Sequence, residues 1–379
     1  MSWIVGSGRT SFGRHEGIDT LGLMADATQL ALDDADLKRA DIDGVLTGYS
    51  TTMPHLMLAT LFSEHFGLQA EFALATQLGG ATGGVMAALA HDLVAAGRCR
   101  KILVVAGENR LTGQSRDSAI QTLAQVGHRD YEVPLGATIP SYYALLASEY
   151  MNRFGCTGWD LAELAVLMRQ HASATPGAQY RTPISVNEVM DSRVIANPLR
   201  LLDCCPISDG AVALVVSSQP RDGVGVKIRG TGQGHLHQHV SAIKDIADTG
   251  AAVAVKRAGK DAGMNVSDVT FAAIYDSFTI TLVLLLEELG LTPRGTSGAA
   301  AREGRFALGG SLPLNTHGGL LSYGHCGVGG GLAHLAEIHR QMKGGNGARQ
   351  VADPSAALFH ADGGVLSSHI SIFLSRELA

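Results

Sequence analysis

The chain has 379 residues, 46% hydrophobic and 17% charged, with 47 glycines and 5% aromatics. It is long and apolar enough to bury a large core in two to three domain-sized units, with tight backbone packing. A formal net charge of −6 argues against the basic stripe of a nucleic-acid binder, while leaving room for a local basic entrance to a phosphorylated ligand.

Met1-Ser2-Trp3 runs straight into the strand-like Ile4-Val5-Gly6, without the basic and then apolar stretch expected of a leader. No segment reaches the ~18 uninterrupted apolar residues of a membrane-spanning helix, so no membrane insertion is expected. Residues 83–96 read as an Ala-rich helix and residues 101–108 as a buried strand. Helical patterns follow over 142–154 and 161–172, joined by loops containing Pro and Gly, and then strands over 211–216 and 370–374. Pro220-Arg221-Asp222-Gly223 reads as a linker between halves. Cys99, Cys156, Cys204, Cys205 and Cys326 are odd in number and lack metal-like spacing, which fits reduced thiols in a cytoplasmic protein.

The chain also repeats itself. Ile4-Val5-Gly6-Ser7-Gly8 is echoed by Ile228-Arg229-Gly230-Thr231-Gly232, and residues 31–50 align without a gap on residues 258–277. Both copies read as strand, glycine turn, amphipathic helix, acidic turn and buried strand. The identities fall at Ala31/Ala258, Asp34/Asp261, Ala35/Ala262, Asp41/Asp268 and Ser50/Ser277. Strands alternating with helices, built twice, predict two α/β halves with mixed sheets.

Several blocks carry a resemblance. These are Arg169-Gln170-His171-Ala172, Leu202-Asp203-Cys204-Cys205-Pro206-Ile207-Ser208-Asp209-Gly210-Ala211, Asn315-Thr316-His317-Gly318-Gly319, Gly324-His325 and the closing Gly363-Gly364-Val365. In this order, across nearly the whole chain, they resemble the thiolase superfamily, most closely its lipid-transfer-protein-like branch. The resemblance implies a five-layer αβαβα thiolase fold. Its N-terminal half would cover residues 1–112 plus 195–218, with a loop subdomain inserted at 113–194, and its C-terminal half residues 224–379. It also implies an acyl-CoA substrate, coenzyme A entering as part of that substrate with no separate cofactor or metal, and a homodimer.

The departures from the family matter most. Thr76-Gln77-Leu78-Gly79-Gly80 puts Gly80 where the family has its acyl-accepting cysteine. What survives is a helix N-terminus whose N–H groups suit a thioester oxygen, or glycines that merely permit close packing. Gly364 is assigned with Gly80 to thioester binding. His325 keeps its family place as a general acid/base or carbonyl-polarising group, the bland alternative being a hydrogen-bonded loop histidine. Cys326, where the family usually has proline, is either a replacement nucleophile or a buried thiol. Tyr275 stands at the family's oxyanion-binding position and could donate to an enolate; otherwise it is a core tyrosine at a strand end. The second family cysteine is also missing. His360 is aligned at its position, as a base or as a satisfied core histidine.

Without an acyl-enzyme, an enolate-stabilising site remains, as aldol or retro-aldol chemistry on a CoA thioester requires. This is similar to thiolase-like aldolases of steroid side-chain degradation, although His325 replaces one of their tyrosines. Such aldolases pair with a small OB-fold and zinc-ribbon protein, which would here be a separate polypeptide. Acyl transfer through Cys326 and non-catalytic acyl-CoA or lipid binding remain the alternatives.

Overall fold

The computed structural model describes residues 1–220 and 224–378; most of the expected linker, residues 221–223, lies outside them. The first half runs β1 (Ser2–Arg9), α1 (Thr20–Ala35), β2 (Gly44–Gly48), α2 (Leu58–Phe66), β3 (Phe72–Thr76), α3 (Thr82–Ala95) and β4 (Lys101–Asn109). Then come α4 (Arg116–Ala124), α5 (Ile139–Phe154), α6 (Gly158–Ser173), α7 (Val186–Asp191), a hairpin of β5 (Val194–Ala196) and β6 (Leu199–Arg200), and β7 (Asp209–Ser217). The second half holds β8 (Val224–Gly234), α8 (Ala251–Ala262), β9 (Phe271–Ile274), α9 (Thr279–Glu288), α10 (Ser297–Arg302), α11 (Val328–Lys343), β10 (Ala356–Gly363) and β11 (Ser368–Leu378).

The strands of the two halves join in one nine-stranded sheet, in the order β3-β2-β4-β7-β1-β8-β11-β10-β9. The junction is β1, which pairs with β7 on one edge and, through Ser2 to Ile4, with β8 on the other. α1 and α2 cover the outer face of the first half, and α8 covers β8 and β11. α3 and α11 lie in the middle, touching strands of both halves, which completes the five layers. α5 and α6 pack against α9, and α6 also against α10, so the inserted segment closes over the second half.

The repeat is physical. β2 starts at Gly44 and β9 at Phe271, in the register of the gapless alignment. A Cβ at Gly6 would lie 2.7 Å from Ala35 Cβ, and one at Gly230 2.7 Å from the Ala258 carbonyl oxygen. Glycine at these positions is what lets each helix lie against its strand. The helix is then tied down identically in both copies. Asp34 accepts from the Ser7 N–H at 2.9 Å, and Asp261 from the Thr231 N–H at 3.0 Å. Asp41 and Asp268 each cap a short turn by accepting from the Lys38 and Asn265 N–H groups at 2.8 and 2.7 Å.

Candidate active site

β9 and β10 are parallel, and the residues at their carboxyl ends meet the loop after β3 and the loop before α11. This is where open α/β sheets place ligands. Asn315 clamps the end of β9 from both sides: its Oδ1 accepts from the Ile274 N–H at 2.7 Å and its Nδ2 donates to the Ile274 carbonyl at 2.7 Å. The Tyr275 N–H donates to the His360 carbonyl at 2.9 Å, and the phenol is buried.

Tyr275 Oη and His325 Nε2 are 2.9 Å apart. The Gly327 N–H donates to His325 Nδ1 at 3.1 Å, so that nitrogen is an acceptor and a neutral ring carries its hydrogen on Nε2. His325 therefore donates to the phenol oxygen, and the phenol's own hydrogen is left to point elsewhere. Burial, reinforced by the positive charge of Arg110, pulls the His325 pKa down to about 3, so the ring is neutral near pH 7. Burial and then the charge of Asp362 push the Tyr275 phenol well above its ordinary value. The resting pair is a neutral imidazole supporting a neutral phenol donor.

Gly80 explains how the phenol fits. A Cβ there would lie 2.5 Å from Tyr275 Cζ and closer still to Oη. Tyr275 thus occupies the space in which a side chain at position 80 would begin, and a cysteine there is incompatible with this tyrosine. Gly80 precedes the first turn of α3, and Gly364 adjoins it: a Cβ at Gly79 would meet the Gly364 nitrogen at 2.8 Å.

The family-like blocks hold this centre in place. Ser208 Oγ accepts from the His325 N–H at 2.9 Å, and the Ser208 N–H donates to the His325 carbonyl at 3.1 Å. Asp203 accepts from Thr279 Oγ1 at 2.9 Å at the start of α9. Asp276 accepts from the Leu320 N–H at 2.7 Å, pinning the turn that leads to His325. Arg169 Nε donates to Ser322 Oγ at 3.0 Å in that same turn.

His360 is not brought to this pair. It is fully buried, with Nδ1 2.8 Å from Ser371 Oγ and Nε2 3.2 Å from His369 Nδ1. His369 Nε2 donates to the Leu366 carbonyl at 2.9 Å, so both His360 nitrogens are engaged in a closed chain. The residue at the mouth is Asp362, one strand repeat further along the same face of β10. Tyr143, from α5, approaches Asp362 Oδ2 at 3.4 Å and the Gly364 carbonyl at 3.3 Å, and stacks on Phe278 at 4.4 Å between ring centroids. Among the described residues no group donates to Asp362 Oδ1, and burial pushes its carboxyl up to about 7. Neither Asp362 nor Tyr143 was anticipated from sequence; the only signal was the position of Asp362 two residues beyond His360.

Cys326 is fully buried, and a Cβ at Gly329 would lie 2.7 Å from its Sγ, so the thiol packs against the first turn of α11 beside β4. Burial and the nearby Glu108 push the thiol well above its ordinary value, which disfavours the nucleophilic thiolate. Among the described residues no three His, Cys, Asp or Glu side chains gather as metal ligands.

Comparison with known proteins identifies the family. Residues 2–220 match the thiolase N-terminal domain and residues 232–376 the thiolase C-terminal domain-like family. The chain is 30% identical to an acetyl-CoA acetyltransferase of Methanothermobacter thermautotrophicus, over 95% of this chain and 96% of that protein. It is 31% identical to the steroid side-chain-cleaving aldolase of Thermomonospora curvata, over 98% of each. The solved structure of the Ltp2-ChsH2(DUF35) aldolase superposes with a TM-score of 0.86 at 29% identity, covering 99% of this chain and 97% of that one. The fold, the ordered motifs and these matches together show that the chain belongs to the thiolase family.

Proposed function

We propose that this protein makes or breaks a carbon–carbon bond in a CoA thioester by aldol or retro-aldol chemistry, without an acyl-cysteine. The observation that carries the reading is Tyr275 filling the space of the absent side chain at Gly80, with its hydroxyl supported by His325. In the cleavage direction Asp362 takes the proton of a β-hydroxyl as the Cα–Cβ bond breaks. The electron pair moves into the thioester, whose enolate oxygen accepts from Tyr275 and from N–H groups before α3. Tyr275 then delivers its proton to Cα and is reprotonated from Asp362. The products are a shortened acyl-CoA and an aldehyde or ketone. Coenzyme A enters with the substrate, and the chemistry calls for no other group.

The similarity to the two-protein Ltp2-ChsH2(DUF35) aldolase supports a separate small OB-fold and zinc-ribbon partner. A homodimer is supported by the outermost strand β3, whose unpaired edge lies beside exposed Leu56, Met57 and Leu74. Free thiols on all five cysteines support a cytoplasmic location, and no helix among the described residues is long and apolar enough to cross a membrane.

The test is single-turnover cleavage of β-hydroxyacyl-CoA by wild type, Tyr275→Phe and Asp362→Asn. The proposal expects each variant to lose on the order of 10²–10⁴-fold in rate while still binding the thioester. Undiminished rates in both would overturn it.

A further inference from the structure

Arg110 follows β4 directly and is only 8% exposed. It continues the strand face of Ile102, Val104 and Ala106, which belong to the core holding α3 and α11; Leu103 and Val105 belong to the outer core. Glu108, on the same face, presses on Gly327, two residues beyond His325. Arg110 stands one step further along that face, and its charge is felt by Glu108, His325, Cys326, Tyr49 and Cys205. The backbone after it is fixed, since the Leu111 and Thr112 N–H groups donate to Asp209 Oδ1 at 2.6 and 3.1 Å.

This guanidinium has no partner among the described residues. Its Nε is buried and unpaired, and no side chain or carbonyl takes a hydrogen bond or ion pair from it. The obvious acid, Glu108, instead gives Oε2 to Thr51 and to the Thr52 N–H. Asp209 is occupied by backbone donors, including the His15 N–H at 3.0 Å. Glu108 feels the charge of Arg110 but makes no ion pair or hydrogen bond with it, so the guanidinium keeps donors free for a ligand. Its planar fork matches a carboxylate in two-point contact. The phosphates of coenzyme A are held away from the reacting carbons by the long pantetheine arm, so the anion must belong to the acyl part.

We propose that Arg110 receives a carboxylate carried by the acyl part of the substrate, so that the protein acts on acyl-CoAs bearing a second, negatively charged end close to the reacting carbons. This rests on the centre at Tyr275 and His325 being where the acyl group sits.

The test is calorimetric binding of dicarboxylic acyl-CoAs of four to six carbons (succinyl-, glutaryl- and adipyl-CoA), each against its monocarboxylic equivalent. Wild type should prefer at least one dicarboxylic member by roughly 10- to 100-fold, the range expected for charge-assisted hydrogen bonds. Arg110→Met should reduce that preference to below about threefold, and Arg110→Lys should retain part of it. Arg110→Met should also remain folded, because no hydrogen bond or ion pair is lost with the guanidinium. No preference in wild type, a preference surviving in Arg110→Met, or unfolding on loss of the arginine would each overturn the proposal. These thioesters need not turn over, so failure here leaves the β-hydroxyacyl-CoA cleavage assay intact, and failure there leaves this comparison intact.

Discussion

Replacing Gly80 by alanine isolates the relation between the missing side chain and Tyr275. Gly80 is not among the glycines with positive φ, so alanine meets no backbone penalty and its cost is that of contact alone. The new Cβ lies 2.5 Å from Tyr275 Cζ and 2.5 Å from the Asp362 carbonyl oxygen. Tyr275 cannot easily retreat, because its strand end is held by Asn315 and its N–H by the His360 carbonyl. Overpacking of this kind costs about 1–3 kcal/mol. It also displaces the phenol from His325, so rate should fall by about 10²-fold or more. The assay is a double-mutant cycle by denaturant unfolding, with Tyr275→Ala as the second change. Tyr275→Ala alone should cost about 3–5 kcal/mol through the cavity it leaves. In that background Gly80→Ala should cost less, because only the contact with the Asp362 carbonyl remains, giving a coupling of about 0.5–2 kcal/mol. An equal cost of Gly80→Ala in both backgrounds would refute the reasoning.

The raised carboxyl of Asp362, at about 7, sets two expectations. As the base it must be ionised, so kcat/KM for cleavage should rise through pH 7, and Asp362→Asn should abolish that limb. The folded protein also holds this proton more tightly than the unfolded chain. Stability should therefore fall as pH rises from about 4 to about 7, and Asp362→Asn should recover up to about 4 kcal/mol at pH 8 in a denaturant titration. His325, pulled down to about 3, should give no inflection between pH 5 and 9, and His325→Gln should retain more rate than His325→Ala because its amide can still donate to the phenol. Gly6→Ala and Gly230→Ala should each lower the melting temperature by a similar amount, about 1–3 kcal/mol of stability, because both force a strand off its helix.

The duplicated scaffold was legible because local backbone requirements dictate its repeated residues. Glycines 6, 8, 230 and 232 are where a helix crosses a strand, and Asp34 and Asp261 each accept from a strand N–H. Tyr275 and His325 were legible through the blocks around them. Three things were not. The continuous sheet depends on β1 pairing with β8 across more than half the chain, which no local pattern announces. Asp362 shares a strand face with His360, and only the closed hydrogen-bond chain through Ser371 and His369 shows which one is spent on structure. Tyr143 reaches the centre from an inserted helix and Arg110 follows a strand end, and nothing in their sequence neighbours distinguishes them from core and surface residues.

The most direct measurement follows cleavage of β-hydroxyacyl-CoA while the intact mass of the protein is recorded through turnover. The account predicts equal amounts of shortened acyl-CoA and carbonyl product, with the protein mass unchanged throughout. A covalent acyl adduct that forms and decays with turnover, on Cys326 or any other residue, would contradict it.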